Sequence, residues 1–185
     1  AESYALLSIL NSRVNWFVLT HISQSLAERK GVLIYRLFSQ YLERLPIPTL
    51  TDDQRTHIGG LAQQLTTIAQ KRYQARREMA QRVRSDLGAG QSKVTDRLDE
   101  WWGLDWQGFR DEVRKSFKRE IPLKERGEWQ ALFLEQQAEI EQLTAEIVRL
   151  EEALNAAVYA VYGLNAEEIA LIERDGRTWH EDWEE

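Results

Sequence analysis

The thirty-five residues from Glu128 to Tyr162 contain neither proline nor glycine. Within them Trp129, Leu132, Gln136, Ile140, Leu143, Ile147, Leu150, Leu154, Ala157 and Val161 recur at steps of three and four. That spacing is a heptad seam on one long helix, with an extra four-step around Gln136. It predicts a helix from about Leu123 to Tyr162, with Pro122 in its first turn, where a missing N–H does no harm. Gly163 is expected to stop it in a left-handed conformation. A helix with one apolar stripe cannot stand alone in water, so a second helix must cover the stripe.

The same chain supplies a candidate. Thr51-Asp52-Asp53-Gln54 offers an N-cap followed by early acids. Ile58, Leu61, Leu65, Ile68, Ala75, Met79 and Val83 then follow helical spacing, with Arg72 in a seam position. This helix is expected to run for about 30 residues, to the break at Gly88-Ala89-Gly90, spanning roughly 45 Å at about 1.5 Å per residue. Residues 54–84 and 125–162 should pack antiparallel, with Leu61 and Leu65 near Leu150 and Leu154, and Met79 near Leu132 or Gln136. The expected fold class is mainly α: a long antiparallel helical hairpin, coiled-coil-like, with short helices and a small α/β piece at the N-terminus.

The flanking segments are read more coarsely. Residues 3–20 read as one helix with Ser3 as N-cap and Leu6, Leu7, Leu10, Val14, Phe17 and Val18 as its apolar stripe. His21 to Lys30 is polar and reads as a loop. The segment Gly31-Val-Leu-Ile-Tyr-Arg-Leu-Phe suits a short strand. Leu45-Pro46-Ile47-Pro48 is an extended connector, because proline lacks an N–H and restricts the residue before it. Two short helices, Lys93–Trp102 and Asp105–Phe117, are expected between the long ones. Their tryptophans Trp101, Trp102 and Trp106 read as core, since neighbouring Asp99, Glu100 and Asp105 would repel a phosphate backbone. Asn165 should cap a last short helix, Ala166–Glu173, before an acidic tail over 176–185.

Charge and composition narrow the function classes. The chain has 185 residues, no cysteine and a formal net charge of -6. Disulfide frameworks and cysteine-ligated metals are therefore excluded. No apolar run approaches the roughly 18 residues of a membrane span, and the N-terminus carries no basic leader. No membrane partner is expected, and the expected location is the cytoplasm. The only methionine is Met79, so the chain is expected to be a piece of a longer protein. The net charge sits entirely in the last 20 residues, where eight acids face Arg174 and Arg177. Residues 1–165 are neutral, so an anionic partner for the body is permitted.

No catalytic constellation is evident. His21, His57 and His180 are far apart and read as ordinary histidines, and no phosphate-binding glycine loop or nucleophile motif occurs. Gly59-Gly60, inside the helical pattern, reads as a mark of close helix packing. Lys71, Arg72, Arg76, Arg77, Arg82 and Arg84 lie in one helical stretch opposed only by Glu78, with Tyr73 among them. Phosphates attract such a stripe; the alternative is a solvated face paired with acids of the partner helix. A second basic set, Arg29, Lys30 and Arg36, lies on the loop and strand ahead of the connector, where arginine could reach base edges. The candidate DNA-binding residues are thus Arg29, Lys30, Arg36, Lys71, Arg72, Arg76 and Arg77, with no catalytic residue and no metal ligand.

Several short motifs follow one another in a familiar order. They are Ala5-Leu6-Leu7-Ser8-Ile9-Leu10-Asn11-Ser12, then Phe38-Ser39-Gln40-Tyr41-Leu42-Glu43-Arg44-Leu45-Pro46-Ile47-Pro48, then Thr51-Asp52-Asp53-Gln54. Trp101-Trp102-x-Leu104-Asp105, Lys124-Glu125-x-x-Glu128-Trp129 and Val158-Tyr159-x-x-Tyr162-Gly163-Leu164 with Glu167-Glu168-Ile169 continue it. This order resembles the C-terminal target-recognition (specificity) region of Type IIG and related TaqI-like adenine-specific DNA methyltransferases of restriction–modification systems. Type I specificity subunits show a looser version.

The resemblance implies a DNA-reading module with a helical spacer behind it, in which residues 1–50 are the C-terminal part of a target-recognition domain and 51–175 the spacer. It implies double-stranded DNA and a methyltransferase catalytic domain as partners, with S-adenosylmethionine bound elsewhere in the parent protein. The family's Asn-Pro-Pro-aromatic motif, its cofactor loop and a Pro-Asp…Glu-x-Lys nuclease pattern are absent from this chain. No enzymatic activity and no cofactor are therefore expected of it alone. The competing expectation is a structural hairpin that holds protein partners and has no DNA contact. The two differ on whether Lys71–Arg84 interleave with the Glu135–Glu151 acids.

Overall fold

In a computed structural model the protein is described over residues 2–23, 25–29, 32–35, 38–88 and 93–176. It is mainly helical. The chain gathers into two compact units, one of Ala1–Leu65 with Leu150–Glu185, the other of Thr66–Arg149. Two long helices run through both, α4 (Asp52–Arg82) and α7 (Arg126–Tyr162). The names follow chain order: α1 (Glu2–Leu10), α2 (Arg13–Ile22), β1 (Ser25–Arg29), β2 (Val32–Tyr35) and α3 (Ser39–Leu42) precede α4. Between the long helices lie α5 (Asp96–Asp99), a 3-10 turn (Trp101–Gly103) and α6 (Trp106–Phe117), and α8 (Ala166–Gly176) closes the described chain.

The long helices pack antiparallel. In the first unit Ile58, early in α4, shares a core with Val158 and Tyr159, late in α7. In the second unit Ala75, Met79 and Val83, late in α4 and just beyond it, share a core with Trp129, Phe133 and Ile140, early in α7. Early meets late and late meets early, as the two stripes require. The N-cap of α4 is reciprocal: the Gln54 N–H donates to Thr51 Oγ1 at 3.2 Å, and the Thr51 N–H donates to Gln54 Oε1 at 2.9 Å. Gly163, with φ of 66°, terminates α7 in the left-handed region. The Asn165 Oδ1 then caps α8 by accepting from the Glu167 and Glu168 N–H groups.

In the second unit the seam differs from the expected one. Phe133, not Gln136, is the residue driven inward, at 0 % exposure. Here α7 is covered by α6 and the 3-10 turn as well as by α4, so its apolar face widens beyond a two-helix stripe. The Phe133 ring lies 6.0 Å from Trp101, 5.7 Å from Trp106 and 4.8 Å from Phe109, centroid to centroid. Gln137, one turn further, donates to the carbonyls of Trp102 and Leu104 at 3.0 and 2.6 Å. Those carbonyls would otherwise be stranded at the end of a short turn. The Trp101 indole N–H donates to the Arg76 carbonyl at 3.1 Å. The tryptophan-rich segment is therefore core, as its acidic neighbours suggested.

A buried carboxylate anchors the same unit. Thr95 caps α5 and donates from its hydroxyl to Glu112 Oε2 at 2.7 Å. Lys115 Nζ lies 3.5 Å from the Glu112 carboxylate and Arg97 4.0 Å away. The Thr95 hydrogen bond and these cations hold the Glu112 carboxyl below its usual range, against the opposing effect of burial. A carboxyl whose folded value is lowered contributes stability that is complete above the ordinary carboxylate range. That contribution is lost as pH falls through the folded value. Urea midpoints of the wild type should therefore fall on acidification more steeply than those of Glu112→Gln; parallel curves would refute the assignment.

The first unit is built on Ala5, Ile9, Val14, Ile58, Val158, Tyr159 and Ile172. Here the N-terminal expectation needs correction. Residues 3–20 are two helices, not one, and Ser3 lies inside α1. The Ser12 hydroxyl caps α2 by accepting from the Asn15 N–H, and the buried Asn15 amide donates to the Ile9 carbonyl at 2.7 Å. The break resets the helical phase, so Ala5 and Ile9 face the core while Leu6, Leu7 and Leu10 stay exposed. Most of the segment read as a loop is instead regular structure: His21 and Ile22 finish α2, and Ser25–Arg29 is β1, paired antiparallel with β2. Ser-Leu-Ala-Glu-Arg has weak strand propensity of its own; pairing with Val32–Tyr35 decides it.

Smaller boundaries shift as well. α7 begins at Arg126, so Pro122 stands before the helix rather than in its first turn. The expected helix Lys93–Trp102 is one turn of α5 followed by the 3-10 turn. α4 runs into a π-helical turn, Val83–Leu87, whose last carbonyls Arg119 satisfies: its Nε donates to Leu87 O at 2.8 Å. A Cβ added at Gly60 would meet nothing within 4 Å, so close helix packing does not require glycine there. Ala89, Gly90 and the acidic tail beyond Gly176 lie outside the described residues.

Candidate nucleic-acid interface

The basic stretch of α4 divides into inward and outward members. Arg72 is half-buried and donates from Nη1 to the Thr144 hydroxyl at 3.2 Å. The Arg76 guanidinium lies 4.0 Å from the centre of the Trp102 ring, a cation–π contact. Arg84 pairs with Asp99, and Arg82 Nε lies 3.6 Å from Asp86 one turn on. Lys71 and Arg77 are exposed, and among the described residues neither joins an ion pair. Tyr73, between them, is 63 % exposed.

The acids of α7 do not neutralise the two outward cations. Glu146 is engaged within its own helix by Arg149, at 2.6 Å, and the Arg149 guanidinium holds its carboxyl below the usual range. Glu139 accepts from Gln136 at 3.3 Å. Lys71 and Arg77 thus keep their charge toward solvent, where a phosphate could meet it.

The inward turn of Arg72 and Arg76 was partly legible. Arg72 occupies a seam position between Ile68 and Ala75, and Arg76 lies one turn beyond it, so both fall near the buried stripe. What periodicity could not supply is the partner, since Thr144 and Trp102 come from distant parts of the chain. Of the second basic set, Arg29 has its backbone in β1, opposite Val32. Lys30 and Arg36 lie outside the described residues. Arg29 belongs to the first unit and Lys71–Arg77 to the second.

The described residues contain no group of three His, Asp or Glu side chains able to hold a metal. His21 Nδ1 lies 2.7 Å from the Phe17 carbonyl and its ring packs on Phe17, an ordinary structural histidine. His57 is exposed and His180 lies outside the described residues. No helix among the described residues is long and apolar enough to cross a membrane.

The arrangement defines a class: a mainly α chain whose two long helices pair antiparallel, with short helices packed on them and a two-stranded hairpin near the N-terminus. Within that class the chain belongs to a family described as a domain of unknown function (DUF8810), whose profile matches residues 51–158. The match takes in α4, the short helices and most of α7. No curated protein and no solved structure matches the chain.

Proposed function

We propose that this chain is the DNA-specificity and helical-spacer part of a restriction–modification adenine methyltransferase, contributing to target recognition and to docking of the catalytic domain. Methyl transfer from S-adenosylmethionine is assigned to that catalytic domain and not to this chain, which lacks its motifs. The observation that carries the reading is the exposed pair Lys71 and Arg77, which no acid among the described residues neutralises. The ordered motifs that resemble specificity regions supply the class of protein, and the antiparallel long helices have the form of a spacer.

The structural-hairpin alternative draws on a different observation: Arg72, Arg76 and Arg84 are engaged inside the fold. It foresees no DNA affinity. Titration of the chain with labelled duplex between about 50 and 200 mM salt separates the two. The proposal expects a Kd on the order of 10⁻⁴–10⁻⁶ M that weakens steeply as salt rises. Absent or salt-independent binding would leave the structural hairpin as the better account.

A further inference from the structure

A second property of α4 goes beyond its charge. From Gln54 to Arg77 there is no acidic residue at all. The open side of the helix carries amides instead. With 3.6 residues per turn, Gln70, Gln74, Arg77 and Gln81 fall on one line along the helix. All four are exposed. Lys71 and Arg82 flank the line on one side and Tyr73 on the other, each of them exposed too. Glu78 is the sole acid among them and sits on the Lys71 side.

This is the composition of a helix that meets a polyanion with readable edges. Glutamine can bond the N6 and N7 of adenine in two places at once, and arginine the O6 and N7 of guanine. Cations and a tyrosine hydroxyl at the flanks suit phosphate oxygens, which fix register without carrying sequence. The ridge from Gln70 to Gln81 is about 16 Å long, enough to lie across a major groove about 12 Å wide. A surface meant only for water would do as well with glutamate, yet the ridge itself carries none and Glu78 stands only at its flank.

We infer that the ridge Gln70–Gln74–Arg77–Gln81 is a duplex-DNA contact, with Lys71 and Tyr73 holding the phosphates beside it. The inference rests on the DNA-binding reading above and adds the contact face and its residues. Arg72 and Arg76 are not part of it; they hold the helix in place through Thr144 and Trp102.

The test compares three variants of the whole chain on one mixed-sequence duplex, after circular dichroism has shown wild-type helix content. Lys71→Ala with Arg77→Ala should lower affinity at least tenfold and reduce the slope of log K against log[salt] by about 2, because two cations that displace counterions from the duplex are gone, Lys71 at a phosphate and Arg77 in the groove. Gln70→Ala with Gln74→Ala should lower affinity several-fold with the slope unchanged, because no charge is removed. Gln130→Ala with Gln142→Ala, equally exposed on α7, should bind as the wild type does. A general field effect would move the first variant and spare the second. If the wild type binds and the Gln70/Gln74 pair does not weaken it, or the α7 control weakens as much, the ridge is not the contact and the inference falls alone. If the wild type does not bind duplex, the inference and the DNA-binding reading fall together.

Discussion

Phe133→Ala should destabilise the protein by about 3–5 kcal/mol, and the neighbouring Leu134→Ala by less than about 0.5 kcal/mol. The two residues are adjacent in sequence and similar in hydrophobicity, yet Phe133 is wholly buried and Leu134 is 52 % exposed. Removing the Phe133 ring empties the space among Trp101, Trp106 and Phe109 and leaves three aromatic rings with a face uncovered. Collapse into that space is restrained, because the Trp101 indole is tied to the Arg76 carbonyl and the Trp102 and Leu104 carbonyls to Gln137. Transfer and cavity terms therefore both apply in full. Chemical denaturation of both variants measures the difference. Comparable losses at the two positions would mean that α7 is rotated away from this phase.

Ile58→Ala is the second large effect, expected at about 2–5 kcal/mol. Ile58 is 1 % exposed and sits where α4 meets the end of α7, against Val158 and Tyr159 and beneath Ala5 and Ile9. Truncation opens a hole where α1, α4 and α7 converge. Alanine's better helix propensity returns only about 0.4 kcal/mol. The loss should also appear locally. Faster amide exchange is expected in α1 and in the Leu45–Pro48 connector, which is clasped by the Tyr162 hydroxyl donating to the Pro46 carbonyl at 2.7 Å. Burial pushes the Tyr162 phenol above its ordinary value, so this hydroxyl stays a donor through the neutral range. Exchange unchanged in α1, with the thermal midpoint retained, would show that the N-terminal segment does not depend on this core.

Taken together, the two positions also probe how the hairpin is divided. Phe133 belongs to the unit of Thr66–Arg149 and Ile58 to the unit formed by the chain's two ends.

Much of the hairpin was determined by the sequence alone. Two heptad stripes, each unable to face water, admit few arrangements, and the long connection between them allows the antiparallel one. Caps at Thr51, Gly163 and Asn165 are local chemistry, and the backbone follows them wherever the rest of the chain lies. The inward seam residues Ile58, Ala75, Met79, Val83, Ile140 and Ile147 are legible for the same reason: periodicity fixes which face is buried.

Other features were settled only by tertiary packing. A third layer, α6 with the 3-10 turn, lies on α7 and draws Phe133 inward, and a two-helix seam carries no information about a third neighbour. Ser12 was one polar residue in a helical pattern until its hydroxyl closed on the Asn15 N–H. That local bond re-phases the leucines of α1, and Asn15 helps hold the break through its bond to the Ile9 carbonyl. Ser25–Arg29 became a strand because Val32–Tyr35 is there to pair with it, and pairing energy outweighs weak propensity. For the candidate interface, composition marked a basic stretch, but burial sorted it. A guanidinium over an indole and another on a threonine hydroxyl are contacts between residues far apart in the chain, and only folding brings them together. Lys71 and Arg77 lie outside because the helical phase that buries Ala75, Met79 and Val83 turns them to solvent.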